Sequence, residues 1–533
     1  MSYALSGRLI KLVAFPIHQT GSFSENTLHA RIRRLDGIRK TGYQKKRQSE
    51  KTQYKHMTPR HNHMSVSGVA VHKDCTFDKT GAVCVGDLQG ASKPLWERAA
   101  FRASLFISGC TSMCMRRTIA ILGTGYVGLV QGVALHSLGN TVFLVDIDEA
   151  KIALLKKRHS PIHEPGLSEM LEAAGEQTLI ATTNAREAIE ESSIVFVCVQ
   201  TPTEAEGQDT SALRRAARTI GEVLRGCEDF KIIVIKSTVL PGTTEGIVKE
   251  TIEDASDKRA GEDFGLAMNP EFLREGSALH DFFHGDRIII GSEDTRTEGE
   301  LLDLYRLKAN AAYTCTIKEA ELVKYAANCF LAVKISYANE IGNLCKELGL
   351  DSHRVLSLVG KDTRIGEKFF DSGIGYGGSC FPKDVAALQR FACQIGVRTQ
   401  IIDAAHLANA QQRVRFVDIV REHLQGFSGK RIAVLGLAFK KGTDDVRESP
   451  AHSVIRAFLD EDAEVVAHDP VAIETMRSEL ADVTYLEDAQ EAVNRCDVVC
   501  ILTDWEEYEK LSYGDRTVFL GRRLRIPGIG ITW

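Results

Sequence analysis

The chain has 533 residues, 44% of them hydrophobic and 26% charged, with 66 Lys+Arg against 71 Asp+Glu for a formal charge of -5. That balance belongs to a globular protein of several domains, and it excludes a fibre or a nucleic-acid coat. The average hides an asymmetry: residues 1–114 hold 18 Lys+Arg against 7 Asp+Glu, and the remainder 48 against 64.

No apolar run reaches the roughly 18 residues of a membrane span, and the opening MSYALSGRLIKLVAFPIHQTG lacks a long apolar stretch with a cleavage site, so a cytoplasmic protein with no membrane partner is expected. Thirteen cysteines, scattered over strand-like and helix-like segments (Cys198, Cys329, Cys345, Cys500), read as reduced buried thiols. In residues 1–114, basic clusters such as Arg39 to Arg47 alternate with Ser, Thr, His and Gly without a period of 2 or 3.6, which predicts disorder. Cys75, Cys84, Cys110 and Cys114 match no zinc spacing, so no metal is expected. A flexible solvated tail is favoured over a nucleic-acid contact. Met115 directly precedes a strand-like start, which marks the leader as an extension that a working core does not need.

From Arg117 the stretch RTIAILGTGYVGLVQGVALHSLGNTVFLVDID reads as one βαβ unit. Strand-like runs follow at SSIVFVCVQTP, KIIVIKSTV, FGLAMN and RIIIG, predicting a mostly parallel sheet to about Gly291. Lys318 to Leu350 reads as one long amphipathic helix, and helical texture continues from Gln389 to Leu424. A second α/β unit runs from KRIAVLGLAF through a helix from about Ala451 and AEVVAHDP to DVVCILTD. The expected class is α/β, with two Rossmann-like doubly wound domains (115–305 and 426–533) around a helical region (306–425), after the extension of 1–114.

Gly123, Gly125 and Gly128 form G-x-G-x-x-G between a strand and a helix, where backbone N–H groups can approach a pyrophosphate. Asp146 ends the next strand about 20 residues on, placed to accept both ribose hydroxyls of NAD and to repel the 2′-phosphate of NADP. The blander alternative is a glycine turn beside an unrelated Asp. Gly436 after IAVL lacks the triplet and is not expected to hold a second dinucleotide in the same way.

In GYGGSCFPKDVAALQRF, Cys380 precedes Pro382 at what reads as the first turn of a helix, where the helix dipole and Lys383 would favour a thiolate. An isolated cysteine is commonly just a small buried group. Lys324 and Asn328 lie four residues apart on the long helix, so an ammonium and an amide share a face that can stabilise an oxyanion. Alone, such a pair reads more readily as a solvent-facing stripe.

The run of motifs GTGYVG, TPT at Thr201, KSTVLPGTT, NPEFLREGSA, ELVKYAANCFLAVKISYANEI, GYGGSCFPKD and AFKKGTDDVRESP strongly resembles the UDP-glucose/GDP-mannose dehydrogenase family over Met115 to Trp533. The resemblance implies an N-terminal NAD domain, a central helical dimer core and a C-terminal nucleotide-sugar domain, in a homodimer or a higher homo-oligomer. It implies four-electron chemistry: C6 alcohol to aldehyde, capture by Cys380 as a thiohemiacetal, oxidation to a thioester, then hydrolysis. Lys324 and Asn328 match the residues that support the oxyanion, Lys324 also as a proton acceptor. Asp384 matches the acid that orders water and the lysine, and Glu271 and Thr238 match groups that position substrate and water. A carboxylate base there needs a raised pKa. For NAD the resemblance adds Val127, Lys151, Thr201, Thr238, Glu275, Lys383 and Arg447. For substrate it points to Glu271, Phe272, Leu273, Arg274 and Glu275, to Lys324 and Asn328, to Arg364 reaching across a dimer interface, and to Phe369, Phe370, Asp371, Ser372, Gly373, Gly377 and Lys440.

SPIHEPGL, REGSALHDFFHGDRIIIG and DSGIGYGGSCFPKD are worded like the UDP-glucose branch rather than the GDP-mannose branch, which more often has Phe-Ala-Phe-Gly-Gly before the cysteine. UDP-glucose is thus the expected substrate, with UDP-N-acetylhexosamine and GDP-mannose as alternatives and UDP-glucuronate, a precursor of surface polymers, as the expected product. VFLGRRLR departs from the pattern, with Leu520 where relatives place Asp before Gly-Arg, and puts a substrate role for Arg522 in doubt. A non-catalytic nucleotide-sugar binder would have no use for Cys380, Lys324, Asn328 and Asp384 together, and a two-electron alcohol dehydrogenase leaves Cys380 unexplained.

Overall fold

In a computed structural model, which describes residues 116–204, 207–306 and 311–533, the apolar runs after Arg117 become strands. They are β1 (Thr118–Leu122), β2 (Thr141–Val145), β3 (Leu179–Thr182), β4 (Ile194–Val197), β7 (Ile232–Ile235), β8 (Gly265–Met268), β9 (Ile288–Ser292) and β10 (Ala312–Cys315), with a small ribbon of β5 (Thr203–Glu204) and β6 (Gly207–Gln208) between β4 and β7. The eight main strands form one sheet in the order β10-β9-β8-β7-β4-β1-β2-β3, parallel except where β9 runs against β8. Helices cover both faces, so β4 and β7 are buried along their whole length and read as unbroken Ile and Val rather than as alternation. β10 lies beyond the boundary expected at 305/306 and joins this sheet through β9. The expectation of disorder over residues 1–114 falls outside the described residues.

The second α/β unit supplies β11 (Arg431–Leu435), β12 (Glu464–His468), β13 (Thr484–Tyr485), β14 (Val498–Ile501), β15 (Thr517–Leu520) and β16 (Ile529–Gly530). They form an all-parallel sheet in the order β13-β12-β11-β14-β15-β16. In each sheet the strand order reverses beside the first strand, between β1 and β4 and between β11 and β14. Such a switch point opens a crevice at the carboxyl ends of the strands.

Between the sheets runs a 31-residue helix, Ile317–Glu347, started by a capping box in which Thr316 and Glu319 satisfy each other's backbone N–H. Tyr325, Cys329 and Ala332 pack against Val385 and Leu388 of the helix Phe381–Gln394. Farther along, Ser336 donates to the Ala405 carbonyl at 2.8 Å and Asn343 to Gln412 at 2.8 Å, both on the helix Gln400–Leu424. Near its end Gly342 lets a cluster of hydroxyls close in: Ser372 bonds Ser352 at 3.0 Å and Thr532 at 2.8 Å. Among the described residues no helix is long and apolar enough to cross a membrane, all cysteines are free, and no group of three His, Cys, Asp or Glu could hold a metal ion.

A Cβ on Gly342 would stand 2.6 Å from the Ser372 Cβ and 2.8 Å from the Thr532 Cβ. Gly342→Ala should therefore lower unfolding stability by about 1–3 kcal/mol, as for overpacking in general, read from the urea midpoint. An unchanged midpoint would mean that the joint between long helix and C-terminus is loose.

Candidate functional site

The first crevice opens where β1 ends. Gly123 has φ +99°, and a Cβ there would lie 2.7 Å from the Cys198 carbonyl, while a Cβ on Gly128 would lie 1.9 Å from the Gly123 carbonyl oxygen. Only glycine permits these approaches. Gly125 instead faces open space, with no atom within 4 Å of its would-be Cβ, and the helix Tyr126–Ser137 has no side-chain cap. Its first N–H groups are left for an anion.

Asp146 accepts from the Thr124 N–H and hydroxyl, each at 2.8 Å, and from the Asp148 N–H at 3.0 Å. Burial pushes its pKa up, but these donors and Lys151 hold it below the usual range, so it stays an anion at the crevice mouth. Val127 lies in the first turn of the glycine helix, and the Lys151 N–H is taken by the Asp148 cap. The Thr201 hydroxyl donates to the Thr238 carbonyl at 2.7 Å. The glycines, the bare helix start and the acid together fit a dinucleotide.

The second crevice differs. Gly436 repeats the left-handed turn at φ +94°, but buried Asp469 accepts the Leu437 and Ala438 N–H groups at 2.8 and 3.1 Å. The chain's own carboxylate takes the loop amides that a pyrophosphate would need.

Against the long central helix lies a cavity of about 940 Å³ whose wall includes Glu271, Lys324, Asn328, Phe369 and Cys380. Lys324 donates to Glu271 at 2.6 Å, with side chains 4% and 6% exposed. Burial opposes both charges. The attraction of each for the other, with Cys380 and Asp384 adding to it at the lysine, nevertheless raises the Lys324 pKa and lowers that of Glu271. Four residues on, Asn328 donates to Asp384 at 2.6 Å, and Lys383 donates to the other oxygen of the same carboxylate at 2.6 Å. Lys324 and Asn328 are thus buried rather than members of a solvent-facing stripe.

Cys380 is the N-cap of the helix Phe381–Gln394, with Pro382 in the first turn. The expected thiolate is not what the surroundings favour. Burial raises the thiol pKa, Glu271 and Asp384 raise it further, and Lys324 and the Ser379 hydroxyl, 3.5 Å from the sulfur, only partly offset this. Lys383 is turned to Asp384.

Glu275 accepts from Ser379 at 3.1 Å, and its backbone carbonyl accepts from Lys440 at 2.7 Å. Arg447 bridges Asp445 at 2.8 Å and Glu275 at 3.7 Å. Burial first, and neighbouring Asp445 second, push Glu275 up to about 7.

Phe272, Leu273 and Arg274 line the cavity, Arg274 tied to Asp281 at 2.6 Å. Phe370 stacks on Tyr337, the Asp371 side chain is exposed, Ser372 sits in the hydroxyl cluster, and the Gly373 N–H donates to Asn339. Gly377 runs against the Glu448 backbone. Arg364 is not brought in: its side chain is 87% exposed and paired with Asp362. Thr238 is not in the cavity wall, whereas Lys236, two residues earlier, is, donating to Asn269 at 2.8 Å. A lysine closing an apolar strand was the available signal for it. Arg522, for which the sequence left a substrate role in doubt, is half-buried and donates to the Gly375 carbonyl beside the Phe369–Gly373 segment.

Three family models cover nearly all of the described chain: the NAD binding domain of the UDP-glucose/GDP-mannose dehydrogenase family at 117–308, its central domain at 318–411 and its UDP binding domain at 433–530. The chain belongs to the UDP-glucose/GDP-mannose dehydrogenase family. It is accordingly an NAD-dependent oxidoreductase with a UDP-binding domain. UDP-glucose 6-dehydrogenase AglM of Haloferax volcanii is 42% identical over 417 residues, 76% of this chain and 96% of the relative. TuaD of Bacillus subtilis, also named a UDP-glucose 6-dehydrogenase, is 42% identical over 74% of this chain and 85% of its own. Among solved structures, a UDP-glucose dehydrogenase from Pyrobaculum islandicum superposes with TM-score 0.77 at 40% identity, covering 80% of this chain and 99% of that one. A UDP-D-ManNAc dehydrogenase from Pyrococcus horikoshii does so with TM-score 0.69 at 28% identity, covering 77% and 97%.

The elevated Glu275 gives a signed pH effect. A carboxyl near 7 in the folded state and near 4.5 unfolded stabilises the protein most below about 4.5, and that stabilisation drains away as pH rises to about 7. Glu275→Gln, which cannot ionise, should gain stability over wild type progressively from pH 5 to pH 7.5 in urea melts. A difference that does not change with pH would mean the group titrates normally.

Proposed function

We propose that this enzyme oxidises the C6 alcohol of UDP-glucose to the carboxylate of UDP-glucuronate in the cytoplasm. The observation that carries the reading is the convergence of Cys380, the Lys324–Glu271 pair and the Asn328–Asp384 pair on one cavity. NAD, held by Gly123, Gly125, Gly128 and Asp146, supplies the hydride acceptor for each of two oxidations. In the first, the ammonium of Lys324 steadies the negative charge that grows on the C6 oxygen, and the alcohol proton leaves by way of Lys324 and Glu271.

The aldehyde carbon is then bonded by the Cys380 sulfur, the thiol proton passing to the local carboxylates and the new oxyanion resting against Lys324 and Asn328. Because the thiol begins neutral, its proton must be removed as the S–C bond forms. Loss of a second hydride from this thiohemiacetal gives a thioester on Cys380. Water ordered by Asp384 cleaves the C–S bond, returning the thiol and releasing the acid. Covalent capture keeps a reactive aldehyde from escaping between the oxidations.

Lys440, Arg274 and the Phe369–Gly373 segment are assigned to the nucleotide sugar, and Glu275, Lys383 and Arg447 to the join between substrate and cofactor. UDP-glucose is preferred to UDP-N-acetylhexosamine because relatives named for UDP-glucose match at 42% and 40% identity, against 28% for the UDP-D-ManNAc enzyme. A purely binding protein would have no need of a half-buried thiol flanked by two ion-pair or amide–acid couples.

The test is NADH formed per sugar consumed with UDP-glucose and excess NAD. Two NADH and UDP-glucuronate are expected, and turnover only with GDP-mannose or a UDP-N-acetylhexosamine would correct the substrate. Cys380→Ala should bind both ligands yet lose net turnover by more than about 10³-fold; acid formation near the wild-type rate would sink the covalent route.

A homodimer is part of the proposal. Phe330, Tyr337 and Leu344 stand 66%, 51% and 58% exposed at seven-residue steps along the long helix, an apolar stripe suited to a second copy. Exposed Arg364 would then serve the neighbouring subunit's cavity. Leu344→Arg should shift the species seen by light scattering toward the monomer and lower activity, while an unchanged mass would remove the stripe from the interface.

A further inference from the structure

One wall of the substrate cavity is a loop, residues 362–369, that leads from the helix Ser352–Gly360 into Phe369 and Phe370. Its own hydrogen bonds end early: the Ile365 and Gly366 N–H groups both return to the Asp362 carbonyl at 2.9 Å. Past that turn the loop is fixed from outside. The ammonium of Lys334 donates to the carbonyls of Ile365, Gly366 and Lys368 at 3.0, 2.8 and 2.7 Å, and it lies 5.3 Å from the Phe370 ring centre.

An ammonium has three protons to give, and here all three go to carbonyls within four residues of one loop. Among the described residues no carboxylate is paired with Lys334, so it does not serve an ordinary surface ion pair. The segment it holds is not relaxed. Phe369 has φ +59°, a left-handed conformation costly for a bulky residue, and persists there because its surroundings impose it. That conformation sets the Phe369 ring 6.1 Å from Phe381, the neighbour of Cys380, inside the cavity wall. Lys334 stands ten residues after Lys324 on the same helix, so one rigid rod carries both the oxyanion-stabilising cation and the anchor of the opposite wall.

We propose that Lys334 is a positioning residue for the sugar nucleotide: its three bonds lock the 362–369 loop and thereby place Phe369 against the substrate beside Cys380. The proposal rests on the reading of this cavity as the UDP-glucose site. Its effect is expected on substrate binding and alignment rather than on NAD binding.

Lys334→Met keeps the length and removes every donor; Lys334→Arg keeps donors. With the full-length protein, Lys334→Met should raise KM for UDP-glucose by about tenfold or more, as expected when a wall shifts by a fraction of an ångström, with KM for NAD within about twofold of wild type. Lys334→Arg should restore most of that loss. Ligand-free hydrogen–deuterium exchange should show faster exchange across 365–370 in the Met variant alone. The proposal is overturned by an unchanged KM for UDP-glucose in Lys334→Met, by equal losses toward both substrates, or by an Arg variant as impaired as Met. If Lys334→Met does not fold, Lys334→Gln, whose amide reaches one carbonyl at a time, takes its place, and a wild-type KM for it overturns the proposal. Should wild type fail to turn over UDP-glucose, the functional reading fails on its own, and unchanged exchange in the variant then overturns the clamp.

Discussion

The pairing of Lys324 with Glu271, almost wholly out of water, is the constraint around which the site is arranged. Two charges carried into a protein interior lose several kcal/mol of hydration each, and only a close, well-aligned partner offsets that loss. Lys324 comes from the helix Ile317–Glu347 and Glu271 from the turn after β8, so the pair fastens the central helix to the first sheet. Removing either member would strand a buried charge. The same rod then offers Asn328 to Asp384 of the cysteine helix, and Asp384 collects Lys383. The helix that carries Cys380 is tied to the first sheet by a chain of polar contacts that begins with one ion pair.

That chain explains why the chemistry was more legible in the sequence than its electrostatics. Glycine spacing and the acid after β2 are local features, dictated by backbone clearance and strand length, and they translate into geometry with little room for variation. So does the four-residue interval between Lys324 and Asn328. What the spacing could not convey was which influence wins at Cys380. A helix start favouring the thiolate is local; Glu271, more than a hundred residues away, and the burial that opposes ionisation arise only when three segments meet. Lys236 went unnoticed for the same reason, since its worth depends on the cavity that Tyr305 and Asn269 help to enclose. β10 and β16 are short pieces recognisable as strands only by the neighbour they pair with. The residues beside Arg522 in sequence carry no sign of its partner, because the Gly375 carbonyl that receives it belongs to a distant loop.

The two Rossmann-like units also show how one topology is kept open or closed. Both reverse strand order beside their first strand, and both turn on a left-handed glycine, Gly123 or Gly436. In the first, Asp146 draws only the Thr124 N–H from the loop and leaves Gly125 facing free space. In the second, Asp469 sits deeper and consumes two successive loop amides, with the Trp505 indole closing over it at 3.2 Å. The placement of one carboxylate thus sets the two glycine turns apart, the first keeping its loop amides open and the second using them itself.

A sulfur held as the neutral thiol is chemically quiet. Peroxide and most electrophiles react with the anion, and sulfenic and sulfinic acids accumulate on cysteines that expose it. The Cys380 thiol is pushed above its ordinary range by burial first and by Glu271 and Asp384 next, which keeps it mainly in the neutral form. If Cys380 is the nucleophile proposed above, it rests between turnovers in the form that peroxide attacks slowly.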